Sequence, residues 1–354
     1  MKAMEYMVRH GHEQLVFCHD PGAGLRALIA IHDTTLGPAL GGVRVWDYAS
    51  EDDAVLDALR LARAMTYKAA LAGLHLGGGK AVMMGVPAPE KREAAFRALG
   101  RFVQSLGGRY IATEDVGSYV PDLETMATQT EHVTGIPVET GGSGDPSPWT
   151  ALGVMSALRA CLEDVFGSDS LRDKRVAVQG VGKVGHALVG LLTRAGARVW
   201  LTDLNKVAAE KAASEFKAAV VEPEAIYDVE CDVFSPNGLG AVLNRSTIPR
   251  LRAKIVCGAA NNQLEEDGDA ARLTERGLLY APDYLANGGG LINLALELVG
   301  YDEGLARTRV EGIYQTMKSV IALSRKLAIP TAKAADGLAE ERLKSVGALK
   351  AIRL

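Results

Sequence analysis

Cysteine is scarce in this sequence, and the four present are scattered. Cys18, Cys161, Cys231 and Cys257 form no C-x-x-C pair, so neither a zinc site nor a disulfide framework is expected. Free thiols of this kind suit a reducing, cytoplasmic setting. A basic run is also missing. Lys and Arg number 39 against 43 Asp and Glu, a net charge of −4, and phosphate backbones need a concentrated positive surface, so nucleic acid is not an expected partner. No uncharged apolar stretch approaches the ~18 residues of a membrane span. The opening "MKAMEYMVRHGHEQ" lacks the long apolar core of a secretory signal. Internal repeats and low-complexity tracts are absent. What remains is ordinary globular composition, 48% hydrophobic and 23% charged over 354 residues. That length suits two domains of about 150 residues each.

The first part of the chain mixes strands and helices. "QLVFCHD", "LRALIAIHDTT" and the end of "LGPALGGVRVW" read as strands. Their short connections predict antiparallel pairing, because a parallel crossover needs a dozen or more residues. Ser50 then caps a long helix, with Asp53 three residues later and Glu51 and Asp52 in the positive first turn. Leu61, Met65, Lys68 and Ala72 share one side of it, the expected buried side, and Gly73 is the stop. "KAVMMGV", beginning at Lys80, reads as the next strand, residues 90–106 as a helix, and "RYIAT" as another strand. "GIPVETGGSGDPSP" packs four glycines and three prolines into a loop or hinge. We place the domain boundary there: 1–140, joined by a returning helical tail at 331–354, and 141–330. Alternating β and α units after the boundary predict a parallel sheet with helices on both faces.

"AVQGVGKVG" follows a strand, opens a helix and is followed by a second strand. Gly180 permits the tight turn, Gly182 lets backbone approach a diphosphate, and Gly185 allows close helix–strand packing. Lys183 and Val184 complete the motif. The helix N-terminus favours the anion. Asp203 ends the second strand about 20 residues on, where a carboxylate accepts from a ribose 2′-OH and repels a 2′-phosphate. NAD is therefore expected over NADP, with nearby Lys206 the one opposing feature.

"LHLGGGKAVMMG" invites comparison with a phosphate loop, but the spacing fails. Such a loop needs Gly at position 74 and Ser or Thr at 81, where this chain has Leu74 and Ala81. Lys80 instead opens an apolar run, where desolvation or a second cation lowers a lysine pKa towards a base's range. Lys68 is costly if buried unpaired, or snorkels to solvent. Asp115, in "ATEDVG", is a candidate proton carrier or a plain turn aspartate.

At this point the motifs carry a resemblance. "IAIHDTTLGPALGG", "MTYKAALAGLHLGGGKAV", "RYIATEDVG", "AVQGVGKVG", "GAANNQL" and "YAPDYLANGGGLIN", in that order, resemble the leucine/valine/phenylalanine dehydrogenase branch of the glutamate dehydrogenase superfamily, nearest to leucine dehydrogenase. The resemblance implies two α/β domains, one with a mixed sheet and one a Rossmann-type doubly wound parallel sheet, with the active site in the cleft between them. It implies reversible NAD-dependent deamination of an L-amino acid to a 2-oxo acid and ammonia. Lys68 would bind the substrate carboxylate beside Met65, Lys80 would activate water against the imine, and Asp115 would move protons at the amino group. Gly41 and Gly42 would line the site through backbone. Asn262 and Asn287 would hold substrate and nicotinamide, and Thr150 would meet the carboxamide. A homo-oligomer, an octamer or a dimer, is also implied.

The side-chain pocket maps by the same resemblance to Leu40, Thr113, Leu291 and Leu294. None is charged, which disfavours glutamate. Thr113, Leu291 and Leu294 are bulkier than is typical of leucine dehydrogenases, which favours valine, leucine, isoleucine or shorter side chains over phenylalanine or tryptophan. Asn237 stands where relatives carry cysteine, and Gly288 where they carry alanine. Two rivals are a non-catalytic NAD and amino-acid sensor, and a hydroxy-acid oxidoreductase, which would want a His or Tyr acid. One tension is internal: if Lys80 starts a strand and Asp115 ends a parallel neighbour of six residues, their side chains stand roughly 20 Å apart.

Overall fold

The structure, a computed structural model, describes residues 2–350. Its described residues divide into two compact units: 2–145 with 294–301 and 339–350, and 146–293 with 302–338.

The first unit is built on strands β1 (Gln14–Asp20), β2 (Leu25–Asp33), β3 (Ala39–Trp46), β4 (Gly77–Met84) and β5 (Tyr110–Glu114), with helices α1 (Ala3–His10), α2 (Glu51–Leu71), α3 (Pro89–Ser105) and α4 (Val120–Ala127). The sheet order is β1-β2-β4-β3-β5. β1 and β2 form the expected antiparallel hairpin. β2 and β3 do not pair with each other, contrary to the expectation from their short connection. β4 inserts between them, antiparallel to β2 and parallel to β3, and β5 extends the sheet parallel to β3. A short connection limits how two strands pair if they pair; it cannot exclude a third strand from taking the place between them.

Each face of this sheet buries one long helix, α2 with Met7 of α1 on one side and α3 with Leu123 and Met126 of α4 on the other. Leu28, Ala30 and Val82 pack with Ala54, Val55, Ala58, Leu59 and Ala62 of α2. The alternate residues, among them Ile29, Val43, Val45, Ala81, Met83, Tyr110 and Ala112, pack with Phe96 and Leu99 of α3. Ser50 caps α2 by accepting from the Asp53 N–H at 3.1 Å. The buried stripe of α2 is the alanine-rich one, not the Leu61–Met65–Lys68–Ala72 side, which is half-buried. Small residues win the sheet-facing position because the helix lies so close: a Cβ added at Gly78 of β4 would fall 2.1 Å from the Thr66 nitrogen.

The second unit begins with α5 (Ser147–Phe166), then β6 (Arg175–Gln179), α6 (Lys183–Arg194), β7 (Arg198–Thr202), α7 (Lys206–Phe216), β8 (Ala219–Val220), β9 (Val233–Pro236), β10 (Ile255–Val256), α8 (Gly268–Glu275), β11 (Leu279–Tyr280), α9 (Asp283–Ala286) and the first residues of α10 (Gly289–Glu297), whose residues from Leu294 on belong to the first unit. Helices α11 (Glu303–Glu311), α12 (Ile313–Leu327) and α13 (Thr331–Lys350) complete the chain. Its sheet runs β11-β10-β9-β6-β7-β8, with every pairing parallel. This is the parallel Rossmann-type sheet anticipated from the alternating βα pattern. All four cysteines are buried and unpaired. Among the described residues no helix is long and apolar enough to cross a membrane.

Candidate active site

The position of Lys80 is decided by where β4 starts. The strand opens at Gly77, so the glycines belong to it, and Lys80 is its fourth residue, not its first. Glycine's weak strand preference concealed this. Side chains alternate across a sheet, so Lys80, two residues before Val82, lies on the α2 face. Leu40, Gly42, Thr113 and Arg44 share that face by the same alternation. Leu40 pairs with Gly78 and Val43 with Ala81, which sets Gly42 beside Lys80, while Gly42 pairs with Thr113 on its other side.

This register removes the 20 Å tension. Only the bare backbone of Gly42 separates Lys80 from β5, and the loop after β5 turns inward. Lys80 is buried at 4% exposure, and its Nζ forms a direct ion pair with Asp115 Oδ2. A Cβ added at Gly42 would lie 2.6 Å from the Asp115 Cβ, so glycine is required for the two to meet. The loop is held from behind: the Asp115 N–H donates to Ser118 Oγ at 3.0 Å, and that hydroxyl donates to the Val43 carbonyl at 2.7 Å. Arg92 donates to the Gly117 carbonyl at 2.7 Å and pairs with Asp122.

Arg44 also reaches the carboxylate, its Nε 3.1 Å from Asp115 Oδ2. Its Nη1 lies 3.0 Å from Asp57 Oδ2, and the Tyr48 hydroxyl donates to the same oxygen at 2.5 Å. The charges follow from this packing. Burial pushes the Lys80 ammonium below the ordinary 10.5, and Arg44 pushes the same way, outweighing Asp115. Burial would raise Asp115, but Lys80 and Arg44 together hold it below the ordinary 3.8. A lysine whose proton is held less tightly than usual therefore touches a carboxylate whose anionic form is favoured.

The other first-unit candidates are placed as follows. Lys68 and Met65 are half-buried on α2. Leu40 is fully buried, and Thr113 and Leu294 nearly so. A Cβ built at Gly135 would lie 2.9 Å from Thr113 Oγ1 and 3.5 Å from Leu294 Cδ2, so Thr113 and Leu294 converge on that glycine. Thr113 Oγ1 has no hydrogen-bond partner among the described residues.

The second unit gathers the remaining candidates. Gly180 takes φ +93°, a conformation suited to glycine, and a Cβ on Gly185 would strike the Gly180 carbonyl at 2.1 Å. Gly182 stands at the N-cap of α6 without a side-chain cap, and the space its Cβ would occupy is open. Lys183 is exposed and Val184 half-buried in the first turn. Asp203 accepts from the Val181 N–H at 2.8 Å, which ties the acid to the glycine turn. Lys206 faces Glu222 at 3.8 Å. This cradle fits a dinucleotide: a helix N-terminus without a side-chain cap for a diphosphate and a carboxylate for a ribose.

Thr150 sits in the first turn of α5, its hydroxyl donating to the Pro146 carbonyl at 3.1 Å. Leu291 of α10 is buried. Asn262 is exposed in a left-handed conformation with φ +51°. Asn287 is buried; its Nδ2 donates to the Ala259 carbonyl at 3.1 Å and to Asn261 Oδ1 at 2.8 Å, and its Oδ1 has no hydrogen-bond partner among the described residues. Asn237 braces the same loop by accepting from the Ala259 N–H at 2.9 Å.

Two family models match this chain. Glu/Leu/Phe/Val dehydrogenase, dimerisation domain, covers residues 12–132, and Glutamate/Leucine/Phenylalanine/Valine dehydrogenase covers 141–205 and 201–336. The chain belongs to the Glu/Leu/Phe/Val dehydrogenase family. It is 52% identical to a leucine dehydrogenase of Thermoactinomyces intermedius over 97% of this chain and 94% of that one. It is 48% identical to a valine dehydrogenase of Streptomyces coelicolor over 94% and 92%. Among solved structures it resembles L-tryptophan dehydrogenase from Nostoc punctiforme, with a TM-score of 0.86, 42% identity, and 97% and 99% of the two chains covered. The chain is thus an amino-acid dehydrogenase that uses a nicotinamide cofactor.

Sequence reasoning missed Arg44, Asp57, Tyr48 and Asn261. Arg44 was findable, because it has the parity of Gly42 along "GGVRVW" once β3 is drawn. Asp57 and Tyr48 were not, because only the packing of α2 brings them to Arg44.

Proposed function

We propose that this chain catalyses the reversible, NAD-dependent oxidative deamination of a branched-chain or short aliphatic L-amino acid to its 2-oxo acid and ammonia. Leucine, valine and isoleucine are the named substrates. The observation that carries the reading is the buried Lys80–Asp115 pair, because a lysine whose burial favours loss of its proton, beside a carboxylate, brings together the two proton-handling groups that imine hydrolysis asks of a protein.

In this reading Lys68 binds the substrate carboxylate, and Gly41 and Gly42 line the site with backbone. Asp115 takes a proton from the substrate amino group. Lys80, once neutral, takes a proton from the water that attacks the imine carbon, and ammonia leaves. Asn287 Oδ1, buried and unpartnered, is an acceptor for the substrate ammonium, and Asn262 and Thr150 hold the nicotinamide end. NAD, when bound, accepts the hydride from Cα. Gly180, Gly182, Lys183, Val184 and Gly185 hold its diphosphate and Asp203 its adenosine ribose, where a 2′-phosphate would be repelled.

Leu40, Thr113, Leu291 and Leu294 are the residues this reading assigns to the substrate side chain. Their bulk supports an aliphatic substrate over an aromatic one. One methylene is worth about 1–3 kcal/mol of discrimination, so substrates of adjacent size will overlap. The family model's description as a dimerisation domain supports a homo-oligomer, and we place it in the cytoplasm.

The test follows NADH consumption with 2-oxoisocaproate, with and without ammonium, and then a panel of L-amino acids with NAD and NADP. Ammonium-dependent turnover and a ranking of leucine and valine above phenylalanine and tryptophan are expected. Ammonium-independent turnover would point to a hydroxy-acid enzyme, no turnover with any 2-oxo acid to a sensor, and an aromatic preference would overturn the pocket assignment.

A further inference from the structure

We propose that Arg44 is a positioning residue for this reaction: anchored by Asp57 and Tyr48, it holds the Asp115 carboxylate so that Oδ2 faces Lys80 and Oδ1 is turned to the substrate. The inference rests on the reading above. Both cations engage the same oxygen. Lys80 Nζ and Arg44 Nε each contact Asp115 Oδ2, and neither engages Oδ1. A carboxylate on a single flexible contact would rotate about its last bond. Two donors from two strands fix that rotation.

Arg44 is fit for the task because its own position is determined. Its guanidinium is a planar fork, and a second nitrogen, Nη1, is engaged by Asp57 at 3.0 Å. The Tyr48 hydroxyl donates to that same Asp57 oxygen. The fork therefore bridges α2, which carries Asp57, to the loop after β5, which carries Asp115. Lysine, with one compact charge, cannot span both. Asp57 also sets part of the local charge, since it opposes Arg44 at Lys80.

The ionisable groups around Asp115 are Lys80 from β4, Arg44 from β3, Asp57 from α2, Tyr48 beyond β3 and Tyr110 from β5. Arg44 favours the deprotonated form of both Lys80 and Asp115. Removing its charge therefore moves both ionisations to higher pH. A residue that served stability alone would leave the pH profile where it was.

The experiment compares wild type, Arg44→Gln, Arg44→Lys and Asp57→Asn as full chains, with L-leucine and NAD, across pH, with thermal midpoints recorded. Arg44→Gln is expected to lower kcat about 10²-fold, the scale of a misplaced reacting group, with KM for leucine changed far less and both limbs of the profile moved to higher pH. Arg44→Lys should recover part of the rate. Asp57→Asn, which keeps the guanidinium but loosens its anchor, should lower kcat and move the Lys80 limb to lower pH. It remains informative if Arg44→Gln does not fold. An active wild type with unchanged kcat or unshifted limbs in these folded variants overturns this inference alone. A wild type inactive on every aliphatic L-amino acid overturns the functional reading and this inference with it.

Discussion

Replacing Lys80 by alanine separates the chemistry of this site from its stability. Lys80 is 4% exposed, and its ammonium pairs with an Asp115 side chain that is 19% exposed. Breaking a buried pair by removing one partner typically costs about 3–5 kcal/mol. Here Arg44 stays 3.1 Å from the orphaned carboxylate and water reaches part of it, so the charge term should fall below that range, about 2 kcal/mol. The lost methylenes add a cavity term, which Lys80→Met fills, so the methionine variant isolates the charge. General-base catalysis contributes about 10²–10⁴-fold, and kcat should drop by that factor in both variants. NADH binding should stay close to wild type, because the dinucleotide cradle belongs to the other unit. The pH profile gives a further check. Deamination by wild type should rise with pH as Lys80 loses its proton, through a midpoint below the ordinary 10.5, and that limb should vanish in both variants. Steady-state rates, NADH fluorescence titration and thermal unfolding give the three readouts. A folded Lys80→Met enzyme turning over within tenfold of wild type would refute the assignment of Lys80 as the base.

Two other outcomes follow from close packing in the first unit. Gly42→Ala places a Cβ 2.6 Å from the Asp115 Cβ and 2.8 Å from the Glu114 carbonyl; neither is a flexible side-chain end, so a cost of about 1–3 kcal/mol and a loss of kcat of tenfold or more are expected, and unimpaired turnover would show that Asp115 need not sit where it does. His32 is buried between Thr66 Oγ1 at 2.8 Å and the His10 carbonyl at 2.9 Å, and burial, with His12 and Arg63 adding to it, takes its pKa from 6.5 down to about 4. The unfolded chain then binds the proton first on acidification, so stability is fully present above pH 6.5 and is lost as pH falls from 6.5 towards 4, by up to about 3 kcal/mol at 1.36 kcal/mol per unit. Thermal midpoints of wild type and His32→Gln at pH 7.5 and 5 check this, and equal acid sensitivity in the two would sink it.

Several features of the fold were legible because they depend on local pattern. The strand–turn–helix–strand context of "AVQGVGKVG" announced a parallel Rossmann-type unit, and the Ser50–Asp53 cap marked the start of α2. The order of strands in the first sheet was not legible. Which strand lies between β2 and β3 depends on contacts between residues 38 to 56 positions apart, and no short-range rule carries that information. The buried side of α2 was misjudged for a similar reason. Apolar periodicity pointed to Leu61 and Met65, but the backbone of Gly78 demanded the small residues of the neighbouring stripe.

The sequence by itself determined the family, because six motifs in fixed order leave little freedom, and it named Lys80 and Asp115 as residues worth attention. It could not say that they touch. Charge on a lysine and an aspartate 35 positions apart becomes chemistry only when something brings them together and strips water from them. The tertiary structure decided both: β4 begins three residues before Lys80, Gly42 offers no side chain to block the path, and the closed sheet face under α2 desolvates the pair. It also recruited Arg44, whose guanidinium has no motif of its own and gains its place only from the packing of β3 against α2.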